Sequence, residues 1–209
     1  MADATNSLWE LSLHDALSRT ASASPTPGGG SIAPITGAFG LGLVLMALEV
    51  TQAKAKTPSE PLSASLGRGR ALLAEISAHA DRDVAVFRAY MQALALPKAT
   101  AAEQAARSSA RQNAAAEAAR APLTAAQACL SALELVESAQ ALVQRNIYSD
   151  LLAGADILHG ALVAVLRTVT INLPGLADAS LRESFAHQVE QLASAAAASY
   201  ARICAAPAP

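Results

Sequence analysis

Apolar residues recur along this chain at spacings of three and four and nowhere alternate over a useful length, so the pattern predicts helices joined by short breaks. Leu8 to Thr20 reads as a short amphipathic helix capped by Asn6 or Ser7, with Leu11, Leu13 and Leu17 among its apolar positions. Ala-Ser-Ala-Ser ends it ahead of a loop, Pro25 to Ser31, whose consecutive glycines disfavour regular structure. From Ile32 to Leu48 no residue is charged, which predicts a helix buried on all sides and running to about Lys54. Thr57 to Pro61 reads as a turn and helix start, because proline fits the first turn of a helix and not its interior. Leu66, Leu72, Leu73, Ile76, Val84, Phe87 and Tyr90 then carry a helical pattern to Leu94, broken by Leu96-Pro97-Lys98. Thr100 to Ala121 predicts a partly exposed helix ended by Pro122, followed by another from Leu123 to about Gln144. Asn146 to Asp150 interrupts the run, with Ser149 or Asp150 able to cap a helix through about Val169. Asn172-Leu173-Pro174-Gly175 ends that helix, and a last one spans about Ala179 to Ala205 before a frayed Pro-Ala-Pro tail.

Composition sharpens this picture. Among 209 residues, 53 are alanine, which joins the best helix propensity to the smallest packing volume. The expected fold is all-α, a single-domain bundle of long antiparallel helices over residues 1–209. Burying a central helix completely in a chain of this size calls for a second copy, so the expectation is a homodimer whose interface includes Ile32 to Leu48. The same stretch approaches the length of a membrane span, but Pro34, Thr36, Gly37, Gly40 and Gly42 within it and the absence of flanking aromatics argue against one.

Lys and Arg number 15 against 17 Asp and Glu, which leaves no basic stripe to neutralise nucleic-acid phosphates. Cys129 and Cys204 have neither disulfide-framework nor zinc spacing, and Glu10 and Asp15 spoil any secretory core, so a cytoplasmic protein is expected.

The most specific local feature is the glycine run leading into a helix. Backbone amides freed from side chains at a helix N-terminus suit a ligand lying against the main chain, although neither a Walker lysine nor GxGxxG accompanies them. Asp156 and His159 share a helix face, as an acid–base or metal pair would, and a packed core or interface histidine explains them more simply.

Ser24-Pro25-Thr26-Pro27-Gly28-Gly29-Gly30-Ser31, followed by Gly37-Ala38, Met46 and Thr51-Gln52-Ala53-Lys54, resembles the opening of the cyclodeaminase domain of the formiminotransferase-cyclodeaminase family and its stand-alone cyclohydrolase relatives. Asp83 with Phe87 and Leu96-Pro97-Lys98, the element Asn146-Ile147-Tyr148-Ser149-Asp150, and Asn172-Leu173 with Asp178 are similar to further family segments. Pro34 and Ala47-Leu48-Glu49 depart from the pattern.

The resemblance implies a tetrahydrofolate substrate, no other cofactor and no metal. It implies hydrolysis of 5,10-methenyltetrahydrofolate to the 10-formyl compound, with Asp150 and Asp83 catalytic. Pro27, Gly28, Gly29, Gly30 and Ser31 would form the slot for the pterin. Lys54, Lys98 and Arg107 would meet the acidic tail, while Asn146, Ser149 and Asn172 would hold the pterin edge or a water. The alternatives are an ammonia-releasing formiminotetrahydrofolate cyclodeaminase, disfavoured by the lack of a formiminotransferase domain, and a non-catalytic folate-binding helical protein. The whole enzymatic expectation requires the glycine turn and both aspartates to converge on one crevice.

Overall fold

The computed structural model describes residues 7–55, 57 and 59–207. Asn6, Pro58 and the last two residues of the Pro-Ala-Pro tail lie outside them. The fold is all-α, and among the described residues there is no strand. Six α-helices follow in order: α1 (Leu13–Thr20), α2 (Gly29–Lys54), α3 (Glu60–Ala95), α4 (Ala101–Ala139), α5 (Tyr148–Asn172) and α6 (Ala179–Ala205).

Helix α2 is the centre of the bundle, with Leu41, Val44, Ala47 and Leu48 wholly buried among α3, α4 and α5. Each of these leucine and valine side chains contributes about 1.5–3 kcal/mol by leaving water. α2 and α5 run antiparallel: Gly37 faces Ala161, and the Gln144 amide just before α5 donates to Thr51 Oγ1 at 3.1 Å near the far end of α2. They cross backbone to backbone. A Cβ on Gly40 would lie 2.9 Å from the Gly154 carbonyl oxygen, and one on Gly154 2.6 Å from that of Gly40, so each glycine is needed for the approach. α3 and α4 form a second antiparallel pair, stitched by Arg82–Glu117 and Arg68–Glu134. Because Gly30, in the first turn of α2, stands level with Asp83, the last 12 residues of α3 project beyond α2 by about 18 Å at helical rise.

Four expectations need correction. The helix expected over Leu8–Thr20 is divided into a 3₁₀ turn, Leu8–Glu10, and α1, because the Ser12 hydroxyl caps α1 by accepting from the Asp15 amide at 3.0 Å. The run of glycines is not wholly loop: Gly28 is the N-cap, and Gly29, Gly30 and Ser31 form the first turn of α2. Pro122 does not end a helix either, since α4 continues through it for 39 residues in all. Proline deprives the Ala118 carbonyl of its usual donor, and Asn172 Nδ2, arriving from α5, replaces it at 2.8 Å. Neither Ser149 nor Asp150 is the cap of α5; both lie in its first turn, after the 3₁₀ segment Arg145–Ile147.

Two helical segments, α2 and Arg145–Gly175, are long and apolar enough to cross a membrane, and 61% and 44% of their most apolar stretches are buried inside the fold. On the outer side α2 leaves Thr36, Phe39 and Met46 exposed, and α5 leaves Gly160, Val163 and Ala164.

Candidate active site

The start of α2 decides where chemistry can happen. Its N-cap, Gly28, has no side chain to offer, and the first-turn amides of Gly29 and Gly30 have no carbonyl four residues behind them within the helix. The Asp83 carboxylate of α3 comes against this turn instead. It accepts a hydrogen bond from Ser31 Oγ at 2.6 Å and presses on Gly30 so closely that a Cβ there would lie 2.1 Å from Oδ1. Glycine at position 30 is therefore a demand of Asp83, and the helix dipole favours an anion where Asp83 stands.

Above this contact opens a cavity of about 390 Å³, the size of site that takes a small organic ligand. Its polar groups are few and converge from three helices: Asp83 of α3, Thr168 and Asn172 of α5, and the Gly28–Gly30 backbone of α2. Its walls are apolar, with Val86, Phe87 and Tyr90 of α3 facing Ala115 and Ala118 of α4. Ile171 stands at the rim, 76% exposed. Burial pushes the Asp83 carboxyl above its ordinary range, and the Ser31 hydroxyl bond partly opposes that. Asn172 is held by its bond to the Ala118 carbonyl that Pro122 leaves free, so a helix irregularity fixes the orientation of a pocket side chain.

Of the residues singled out from sequence, Gly28, Gly30, Asp83 and Asn172 meet in this cavity, with Ser31 bonded to Asp83 behind it. Pro27 is buried beside the turn, Thr26–Pro27 is cis, and Gly29 faces outward. The remainder are elsewhere. Asp150, Ser149 and Asn146 stand at the opposite end of α5, where 22 residues of helix separate Asp150 from Asn172, about 33 Å. Lys54, the last residue of α2, shares that far end. Lys98 lies at the tip of the projecting α3–α4 hairpin, and Arg107 spends its guanidinium on the Leu94 carbonyl at the end of α3, 2.9 Å away. The expected convergence of both aspartates is thus not met within one chain, because a continuous helix holds the two motifs apart.

Sequence reading missed Thr168, and it treated Tyr90 only as part of a helical pattern. The signal for Tyr90 was present: Asp83, Phe87 and Tyr90 share one face of α3 at spacings of four and three. Arg111 lies on the α4 face of Ala115 and Ala118, one turn toward the hairpin tip, and is exposed. Asp156 and His159 are absorbed elsewhere, His159 stacking on Tyr200 at 4.4 Å while the Tyr200 hydroxyl donates to Asp156 at 2.5 Å.

The formiminotransferase-cyclodeaminase family profile matches residues 12–191. The chain belongs to this family. It is 34% identical over 187 residues to a methenyltetrahydrofolate cyclohydrolase of Methylorubrum extorquens, covering 88% of this chain and 89% of that protein. It is 26% identical to the formimidoyltransferase-cyclodeaminase of Mus musculus over 89% of its own length, and there spans 35% of the longer protein. The fold is that of the formiminotetrahydrofolate cyclodeaminase of Thermotoga maritima, whose crystal structure superimposes with a TM-score of 0.81 over 94% of this chain and 95% of that one, at 24% identity. The Asp83 cavity therefore lies in a family of folate-named enzymes.

Proposed function

We propose that this family member is a cyclohydrolase that adds water to 5,10-methenyltetrahydrofolate and opens it to 10-formyltetrahydrofolate. The observation that carries the reading is a desolvated carboxylate, Asp83, at the floor of an apolar slot. The methenyl carbon belongs to a cationic amidinium, so a half-buried anion binds it more strongly than water does. Water adds to that carbon as Asp83 takes one proton. Asp83 returns the proton to the departing nitrogen as its bond to carbon breaks, and the hydroxyl left on carbon gives up its own proton to become the formyl oxygen. One proton leaves overall. The carbon is electrophilic without a metal, so the reading requires neither metal nor further cofactor, and the reaction is that of a C–N hydrolase. The carbonyls and amides at Gly28–Gly30 and the Asn172 amide suit the polar pterin edge, Phe87 and Tyr90 its rings, and Arg111 beyond the slot the acidic tail.

Asp150 enters this reading through a second copy of the chain. α2 and α5 share an outward face on which Phe39, Met46, Gly160, Val163 and Ala164 are exposed, with Asp156 and Arg167 of α5 beside them. A two-fold axis across α5 near Gly160, midway between Asp150 and Asn172, sets the far end of the partner's α5 beside this chain's cavity. The partner's Asp150, Ser149 and Asn146 then close the slot, and the homodimer is the working unit.

The test is direct. Purified protein mixed with methenyltetrahydrofolate is expected to bleach the methenyl absorbance faster than buffer does, with no loss of rate on treatment with a chelator. No acceleration at any pH sinks the hydrolase reading. Release of ammonia from the formimino compound favours the cyclodeaminase alternative.

A further inference from the structure

Glu75, His79 and Asp83 are spaced by four along α3, which puts their side chains one turn above another on a single face. Glu75 is exposed, whereas His79 is only 7% exposed. A small cavity of about 10 Å³ lies between His79 and Asp83, closed by Gly30 of α2 and by Ala121, Pro122 and Ala125 of α4. That is room for a single water, which needs about two to four polar partners to stay. Three are available: the His79 ring, the Asp83 carboxylate and the Gly30 carbonyl, to which Pro34, four residues on, has no N–H to give. Gly30 and Asp83 also line the large cavity, so the two spaces meet at the carboxylate.

We propose that this file of side chains carries away the proton of the reaction, His79 receiving it from Asp83 through one water and Glu75 passing it to solvent. The inference rests on the hydrolase reading for the source of that proton. The balance closes: of the two protons a water brings, one stays on the departing nitrogen, and the second, taken up by Asp83 from the hydroxyl, finds in His79 a buried basic side chain across the small cavity. The ring is fit to receive it, since burial and the nearby Arg82 guanidinium hold it neutral, with Glu75 opposing. From α2 and α4 the cavity is lined by Gly30, Ala121, Pro122 and Ala125, which carry no charge. Arg82 is itself engaged by Glu117 of α4. The other ionisable group close to Glu75, the buried Cys129 thiol of α4, is pushed up to about 12 and stays protonated.

Two measurements test the file. His79→Gln keeps a polar group but cannot carry a proton near neutrality. It is expected to lower kcat about tenfold with KM within about twofold, to enlarge the solvent deuterium isotope effect, and Glu75→Gln is expected to move kcat the same way by less. Unchanged kcat and isotope effect in His79→Gln overturn the proposal. The second measurement needs no substrate: nitrogen-15 spectra of the histidine rings, titrated in the wild-type chain, in Asp83→Asn and in Glu75→Gln. Loss of either neighbouring carboxylate is expected to lower the His79 midpoint by about half a pH unit or more, with His14 and His187 unmoved. A His79 midpoint unmoved in both variants overturns the file even if His79→Gln fails to fold. If the wild-type chain does not hydrolyse the methenyl compound, the folate reading falls, and the ring titration still decides whether the three groups communicate.

Discussion

Gly30→Ala puts the geometry of the site to a quantitative trial. The new methyl would lie 2.1 Å from Asp83 Oδ1, 2.6 Å from Cγ and 2.9 Å from Oδ2, so the whole carboxyl group is in its way. These gaps are roughly 0.5–1.5 Å short of an ordinary van der Waals separation, and Asp83 is the mobile partner because Gly30 is fixed in a helix. Its retreat strains or breaks the 2.6 Å bond from Ser31, a loss of about 0.5–1.5 kcal/mol. Alanine for glycine in a helix returns up to about 1 kcal/mol. Stability therefore changes by between about 0.5 kcal/mol gained and about 1.5 kcal/mol lost, a melting shift of at most about 6 °C for a chain of this size. Catalysis has no such compensation, since a misplacement of about 1 Å costs on the order of 10²-fold. The assay pairs the decay of methenyl absorbance with a thermal melt, and Gly67→Ala, where nothing lies within 4 Å, serves as the control for helix propensity alone. The expected pattern is a folded Gly30→Ala protein with kcat/KM down about 10²-fold and a fully active Gly67→Ala protein. Gly30→Ala activity within threefold of wild type would refute the placement of Asp83 at the reacting carbon.

Inactive Asp83→Asn and Asp150→Asn chains, unfolded and refolded together, are expected to regain about a quarter of wild-type activity, because half the dimers are mixed and each holds one intact site; no recovery would place both aspartates' work within one subunit or discard Asp150. Ser31→Ala removes the bond that holds the Asp83 pKa down, so the acid limb of kcat against pH should move to higher pH, and an unmoved limb would show that another group sets it. Because the folded-state pKa of Asp83 is raised, its ionisation weakens the fold as pH rises through that value, and Asp83→Asn should gain stability at neutral pH relative to wild type and lose that gain at acid pH, as followed by denaturant titration. Asn172→Leu strands the Ala118 carbonyl and should cost about 1–3 kcal/mol in the same titration. Much of that cost should vanish in a Pro122→Ala background, where the backbone supplies a donor again; equal costs in both backgrounds would refute the pairing.

Helix positions were largely legible from the spacing of apolar residues, and Leu96-Pro97-Lys98 marks the α3–α4 turn as its chemistry suggests. Two of the failures, at Pro122 and at the glycine run, share one cause, a partner distant in sequence. Local rules make Pro122 a terminator, but Asn172 satisfies the carbonyl it strands; they make Gly28–Gly30 a loop, but Asp83 is what requires the missing Cβ. Asp83 and Asn172 were grouped with the glycines through family resemblance, not through periodicity, and the fold brings them to one cavity. Asp150 was grouped with them too, and only the length of α5 reveals that one subunit cannot bring it there.

The glycine-to-glycine crossing of α2 and α5 has a mechanical meaning. With Gly40 and Gly154 in close backbone approach, and Ile157 and Val44 seated in the spaces those two glycines leave, a lengthwise slip would bring a side chain to a place where only a glycine fits, so the pair can scissor about that point but not slide. Any opening of the slot to admit so long a ligand must come from tilting about this fulcrum or from flexing of the overhanging α3–α4 arm, and a substitution that wedges the crossing apart would loosen both ends of the molecule together.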